Sequence, residues 1–160
     1  LGVLYDPAKT ASLIDEARSQ AKRLGIELVA RQVPSEKEVP AALRAILPQI
    51  EALWLVPDAT VLTDESLSFI LGTALDSNVP AIGFSNEFVR RGALLGLYVK
   101  YDDLGRQASR LAKKIFGGQD FSSIATIPTE RLRLSLNLKT AKFLGISIPP
   151  DVVDRADEVY

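Results

Sequence analysis

Small polar and charged side chains follow four of the predicted strands, and each could bind a ligand or exchange a proton with one. In open α/β sheets, ligands bind beyond the carboxyl ends of the strands, so these side chains are expected to share one rim. The alternative reading of each single residue is ordinary helix capping or a solvated loop. The candidate ligand-binding residues are Asp6, Asp58, Thr60, Ser85, Asn86 and Lys100.

The composition excludes several kinds of chemistry. The chain of 160 residues contains no histidine and no cysteine, which removes imidazole catalysis, thiol nucleophiles, zinc ligands and disulfides. The net charge of −1 gives no global attraction for nucleic acid, and no basic stripe is interleaved with aromatic residues. On this residue supply we predict no metal site, no histidine- or cysteine-based catalytic residue and no nucleic-acid partner. No GxGxxG or Walker lysine follows a predicted strand, so we expect no nucleotide cofactor.

Short apolar runs alternate with helical segments whose apolar residues recur at spacings of three and four. This pattern predicts an α/β fold with an open, mostly parallel sheet of five to six strands and helices on both faces. The five parallel strands are predicted at Gly2–Tyr5, about Glu27–Gln32, Ala52–Val56, Pro80–Phe84 and about Ala93–Tyr98.

The apolar stripe of each predicted helix is interpreted as core, as are Trp54 and Phe84 within or at the end of strands. The last such stripe consists of Leu104, Ala108, Leu111, Ala112 and Ile115. Beyond it, Arg131 to Leu136 alternates polar and apolar residues, as a half-exposed edge strand does. We predict a ligand-binding lobe over residues 1–118 and a C-terminal strand–helix segment over 119–160 that packs on the same lobe.

One signalling arrangement also matches the polar residues. Asp58 as phosphoacceptor, Asp6 as metal ligand, Ser85 as phosphate sensor and Lys100 as its counter-charge resemble a receiver domain. The match is incomplete because Asp6 is not part of an acidic pair and Lys100 is not followed by proline. The segment beyond the fifth predicted helix also has no place in a receiver. A receiver-like domain therefore stays an alternative hypothesis, as does a ligand-sensing module of a signalling protein.

Six sequence segments, in order and in register, carry a more specific resemblance. Together they resemble the tryptophan/tyrosine-type substrate-binding proteins of ABC transporters, and the C-terminal segment is the most specific of them. The segments are Gly2–Pro7, Val56–Val61, Val79–Gly83, Arg91–Leu94, Tyr101–Gln107 and Asn137–Tyr160.

The resemblance implies one lobe of a non-catalytic type I periplasmic-binding protein, in which a small ligand is held in a cleft between two lobes. This chain would be the second lobe plus the tail, with Leu1 a cut point and the first lobe upstream. The implied partners are a small polar ligand such as an amino acid, an ABC permease and the first lobe. The implied location is periplasmic or otherwise extracytoplasmic, by secretion or a lipid anchor, although the chain contains no signal peptide.

Two consequences of the resemblance are specific to this sequence. The family usually has aspartate at the position of Lys100, which suits a ligand ammonium, so lysine there favours a carboxylate or another anionic group. One lobe supplies half of the cleft, so weak or undetectable ligand binding is expected of this chain. A homodimer of the isolated lobe, formed through the exposed cleft face, is a further hypothesis.

Overall fold

The computed structural model describes residues 1–118, 120 and 127–160, and their strands form one sheet. The strand order is β2-β1-β3-β4-β5-β6-β7, with β1 to β5 parallel to one another. The strands are β1 Gly2–Tyr5, β2 Val29–Gln32, β3 Leu53–Trp54, β4 Ala81–Gly83, β5 Leu95–Tyr98, β6 Arg133–Leu136 and β7 Glu158–Val159. The predicted α/β class and mostly parallel sheet are confirmed, with seven strands where five to six were expected.

An α-helix is the next element after the first, third, fourth and fifth strands, and a short 3-10 turn precedes the helix after the second. The α-helices are α1 Pro7–Arg23, α2 Val39–Ile46, α3 Asp64–Asp76, α4 Asn86–Arg90, α5 Tyr101–Phe116, α6 Leu138–Phe143 and α7 Pro150–Asp154. The 3-10 turns are Glu36–Glu38 and Leu47–Gln49. Among the described residues, none of these helices has both the length and the apolar character that a membrane span requires.

Local sequence signals explain where the main helices begin. The Asp6 side chain accepts a hydrogen bond from the Ala8 N–H, and Pro7 supplies a backbone angle already suited to the first helical turn. Thr63 and Ser66 form a reciprocal capping box at the start of α3. Asp6 directly follows β1, and Thr63 ends the loop that connects β3 to α3.

The core is unequal on the two faces of the sheet. The larger cluster packs Leu4, Leu53 and Ala81 of the sheet against buried residues of α2 and α3. On the other face, Val3 and Tyr5 pack against Ile14 of α1 in a much smaller cluster. The prediction that the apolar stripe of α5 belongs to the core is wrong, because none of the described residues of α5 is buried. An amphipathic spacing identifies an apolar helix face but does not say whether the sheet covers it.

The C-terminal part of the chain extends the sheet beyond β5. Strand β6 pairs antiparallel with β5 and parallel with β7, so it lies inside the sheet. Ser135 and Leu136 of β6 are accordingly buried, and the prediction of an edge strand at Arg131–Leu136 is wrong. The edge position belongs to β7, a strand of two residues that the sequence pattern did not indicate. A strand this short carries no measurable alternation.

Candidate functional site

The six predicted site residues lie at the carboxyl ends of β1, β3, β4 and β5, but they form two separate groups. Asp6, Asp58 and Thr60 make one hydrogen-bonded group above β1 and β3. Ser85, Asn86 and Lys100 line a pocket of about 490 Å³ above β4 and β5, which we call the rim pocket. Asp6 and Asp58 of the first group are buried, whereas the three residues of the second group are half-buried.

Asp58 is a buried residue, 3% exposed, and its carboxylate already has hydrogen-bond partners within the protein. Its Oδ2 atom accepts from the Asp6 N–H at 2.7 Å and from the Thr10 hydroxyl at 2.7 Å. Its Oδ1 atom accepts from the backbone N–H groups of Thr60 at 3.0 Å and Val61 at 3.2 Å. With both oxygens engaged, Asp58 ties the loops after β1 and β3 together.

Asp6 completes this group from the other side. Its Oδ2 atom accepts from the Thr60 hydroxyl at 2.7 Å, and its Oδ1 atom caps α1 through the Ala8 N–H. The Thr60 hydroxyl and the Ala8 N–H together hold the pKa of Asp6 below its usual range. A receiver needs an accessible phosphoacceptor at Asp58, and this geometry does not provide one.

The rim pocket is lined by aromatic as well as polar side chains. Its walls are Phe84, Ser85, Asn86, Tyr98, Val99, Lys100, Tyr101 and Asp102. Phe84 is 36% exposed and Tyr101 is 88% exposed. The prediction of Phe84 as core is therefore wrong, because β4 ends at Gly83 and Phe84 emerges at the rim. Trp54, also predicted as core, is partly buried against the α1-side cluster.

Behind the rim pocket, the C-terminal strand β7 contributes a polar network. Glu158 accepts hydrogen bonds from the Asn86 amide at 2.8 Å, the Tyr98 hydroxyl at 3.1 Å and the Tyr160 hydroxyl at 2.7 Å. The Lys100 ammonium lies 3.2 Å from Glu158 Oε1. The Tyr160 hydroxyl and Lys100 lower the pKa of Glu158 to about 2, so this carboxylate is negatively charged at neutral pH.

A second ionic network fixes β7 in the place that Glu158 requires. Arg133 of β6 donates through Nε and Nη2 to Asp103 of α5, at 2.9 and 2.7 Å. Its Nη1 atom donates to Asp157, whose other oxygen accepts from the Leu134 N–H. Hydrogen bonds from Arg106 and then Arg133 lower the pKa of Asp103 to about 2. Strands β6 and β7 are thereby tied to the first turn of α5, directly beside the rim pocket.

Sequence reasoning selected Ser85, Asn86 and Lys100 from the lining of the rim pocket, but it missed other lining residues and the residues behind the pocket. Tyr98, Glu158 and Tyr160 were not selected, although Glu158 touches two residues that were. Glu158 and Tyr160 lie in the segment Asn137–Tyr160, whose residue pattern is the most specific part of the family resemblance. That pattern was the available signal, but the position of the segment beside β4 and β5 depends on long-range strand pairing. The binding roles of all six selected residues stay predictions.

Comparisons with known proteins agree on one family. The family model described as "ABC transporter substrate binding protein" matches residues 1–160. The chain is 25% identical over 148 residues to a tyrosine-binding protein of Clostridioides difficile strain R20291, with 91% of this chain and 42% of that protein covered. The chain therefore spans less than half of the length of this relative.

Solved structures give the same result at the level of the fold. A conserved domain protein of Vibrio cholerae superposes with a TM-score of 0.79 at 27% identity, covering 99% of this chain and 54% of that one. The ABC domain from Streptococcus pneumonia in complex with L-Trp superposes with a TM-score of 0.77 at 21% identity, covering 99% and 54%. This chain corresponds to about half of each structure.

Proposed function

The chain belongs to the ABC transporter substrate-binding protein family, and from this premise we propose that it forms one lobe of a solute-binding cleft. Its fold is that of one lobe of a type I periplasmic-binding protein. The whole protein would act outside the cytoplasm, without catalysis, and would pass a small polar ligand to an ABC permease. A first lobe of the same protein would close the cleft.

The observation that supports this proposal is the rim pocket. It lies at the carboxyl ends of β4 and β5, where ligands bind in open α/β sheets, and it combines exposed aromatic surface with convergent polar groups. A small molecule with a planar part and one or two polar groups suits such a lining. Amino acids and related molecules have this chemistry; one relative is a tyrosine-binding protein, and another similar structure was solved in complex with L-Trp.

The two groups of residues would have different parts in this function. Ser85, Asn86 and Lys100 line the pocket and would contact the ligand. Asp6, Asp58 and Thr60 are joined by hydrogen bonds and would hold the neighbouring rim in shape. We assign residues 1–118 to the ligand-binding lobe and residues 119–160 to the return segment that would brace the hinge between lobes.

Nuclear magnetic resonance with an isotope-labelled sample tests the proposal directly. L-tryptophan, L-tyrosine and a panel of other amino acids should each be added, and at least one should shift the backbone signals of Ser85, Asn86 and Lys100. The affinity should be weak, in the millimolar range, because one lobe leaves the ligand partly in water. Ser85→Ala should weaken the response, whereas Ser12→Ala, an exposed serine on α1, should not.

Two results would count against the proposal in different ways. If a member of the panel shifted signals elsewhere in the chain and left those of the rim pocket unchanged, the pocket would not be the ligand site. If calorimetry gave sub-micromolar affinity for any amino acid, the lobe would be a complete site and the half-cleft interpretation would be wrong.

A homodimer of this lobe is the remaining proposal about partners. Exposed apolar surface at the rim, including Phe84 and Tyr101, would be covered in a complete two-lobe protein and could instead pair two copies of this chain. Light scattering at high concentration should then show a dimer, and Tyr101→Ser should shift it to monomer. A strictly monomeric wild-type chain would exclude this surface as a self-association site.

A further inference from the structure

Among the described residues, Lys100 is the only cationic one that lines the rim pocket, yet the pocket has no net positive charge. We propose that Glu158 of β7 is a specificity residue of this pocket, which cancels the charge of Lys100 and prevents selection of anionic ligands. The inference rests on the proposed function, because it concerns the ligand class that the same pocket accepts. It reverses the expectation that lysine at this position favours a carboxylate.

The geometry commits Lys100 to Glu158. The ammonium lies 3.2 Å from Oε1, and both side chains are only partly exposed, at 42% and 32%. Glu158 itself is held by the Tyr98, Tyr160 and Asn86 side chains, so it cannot easily turn away from Lys100. A ligand carboxylate that approached Lys100 would have to compete with a carboxylate already fixed by three neutral donors.

The sum of the charges around the rim pocket also disfavours anionic ligands. Lys100 contributes one positive charge, Glu158 one negative charge, and Asp102 in the first turn of α5 a second negative charge. The sum for these three side chains is −1. The N-terminus of α5 offsets part of the Asp102 charge but adds no full positive charge. An isolated anionic group therefore gains little in this pocket.

The lining indicates which groups are accepted instead. The exposed rings of Phe84 and Tyr101 offer aromatic faces to apolar or cationic groups, and Asp102 offers a carboxylate to an ammonium. The ligand class that fits is neutral overall or carries an ammonium group at this end. Phosphorylated and dicarboxylate ligands are disfavoured at the same position.

Inorganic phosphate is the probe that tests this inference, with chemical shifts of Asn86 and Lys100 as the readout. The wild-type chain should bind phosphate only weakly. Glu158→Gln keeps the shape of the side chain and removes its charge, so phosphate should bind about fivefold more tightly than to the wild type. The double variant Glu158→Gln with Lys100→Gln should lose this gain. Asp151→Asn is the matched control, since it removes one exposed carboxylate on α7 and should behave like the wild type.

The reciprocal experiment does not depend on the folding of the Glu158 variant. Lys100→Gln leaves Glu158 and Asp102 uncompensated, so methylammonium should bind about fivefold more tightly than to the wild type. Thermal melting and circular dichroism would check that each variant is folded. If Glu158→Gln bound phosphate no better than Asp151→Asn, or the wild type bound phosphate as well as the variant, the inference would be overturned. An unchanged methylammonium response in Lys100→Gln would overturn it as well.

These outcomes separate the inference from the proposed function. Phosphate and methylammonium report the charge of the pocket whether or not the pocket receives a transported solute. A failure with both probes would remove the specificity role of Glu158 and leave the amino-acid titration to decide the function. A gain with both probes, together with amino-acid shifts only at other parts of the chain, would keep the charge compensation and exclude the rim pocket as the ligand site.

Discussion

Tyr98 of β5 donates a hydrogen bond to Glu158 of β7, with 3.1 Å between the hydroxyl oxygen and Oε1. Strand β6 lies between these two strands in the sheet, so the bond crosses an intervening strand at the carboxyl end of β5. The two groups titrate at opposite ends of the pH scale, and the fold shifts both of their pKa values. The attachment of the C-terminal strand β7 to the rest of the sheet, which we call the C-terminal attachment, is therefore expected to weaken in acid and in alkali.

Acid should loosen the C-terminal attachment through Glu158. The Tyr160 hydroxyl and Lys100 lower the pKa of Glu158 from 4.5 to about 2, so its stabilising contribution is complete above 4.5 and is lost as the pH falls towards 2. Asp103, also lowered to about 2, acts in the same direction. Urea unfolding across this range should show a free energy of unfolding that falls with pH, and the slope of that fall should be shallower for Glu158→Gln. The slope of Asp151→Asn should match that of the wild type, and an unchanged slope in Glu158→Gln would contradict the assignment.

Alkali should act on the same contact through Tyr98. Burial, followed by the nearby Glu158 carboxylate, raises the pKa of Tyr98 from 10.0 to about 12. Its contribution to stability is therefore complete below 10.0 and is lost as the pH rises through 12. The ultraviolet difference between the wild type and Tyr98→Phe isolates this phenolate and should titrate near 12. Glu158→Gln should move the transition to lower pH, and a Tyr98 transition near 10.0 in the wild type would show that the phenol is not enclosed.

Asp58 should be a stability residue, because its carboxylate joins two loops. Asparagine has one carbonyl oxygen in place of two acceptors, so Asp58→Asn leaves some of the four donors from Asp6, Thr10, Thr60 and Val61 without a partner. The free energy of unfolding should fall by about 1–3 kcal/mol, the usual cost of an unsatisfied buried polar group. Urea denaturation measures it. Asp15→Asn, an exposed aspartate on α1, should change the stability very little.

How much of this fold the sequence predicts depends on the range of the interaction involved. Strand β1 has the predicted bounds because its apolar run is continuous and ends at a helix cap, Asp6. The strand starting near Glu27 begins two residues later, at Val29, where pairing with β1 starts. A single sequence predicts features that depend on neighbouring residues, such as helix caps. The exact bounds of a strand depend also on the strand it pairs with.

The parts that were missed depend on contacts between distant segments. Glu158 reaches Asn86 across 72 residues, and no spacing in the sequence encodes that approach. Strand β7 has two residues and exists because β6 offers it an edge. The apolar stripe of α5 is a different kind of error. The helix was predicted correctly, but its apolar face was expected to be buried, and none of its described residues is.

Gly96 of β5 should tolerate no side chain, because α4 packs directly against its backbone. A methyl group there would lie 2.8 Å from Val89 Cγ2 and 3.0 Å from the Ser85 carbonyl oxygen, and the latter belongs to the backbone that starts α4. We expect Gly96→Ala to cost about 1–3 kcal/mol of stability by overpacking. Gly105→Ala is the matched control, since Gly105 lies in α5 with nothing within 4 Å of the added carbon. This second change should stabilise the protein by about 0.5–1 kcal/mol, because alanine favours helix more than glycine does. Urea denaturation of both variants measures the difference, and a Gly96→Ala protein as stable as the wild type would show that α4 can move away from the sheet together with the Ser85–Asn86 side of the rim pocket.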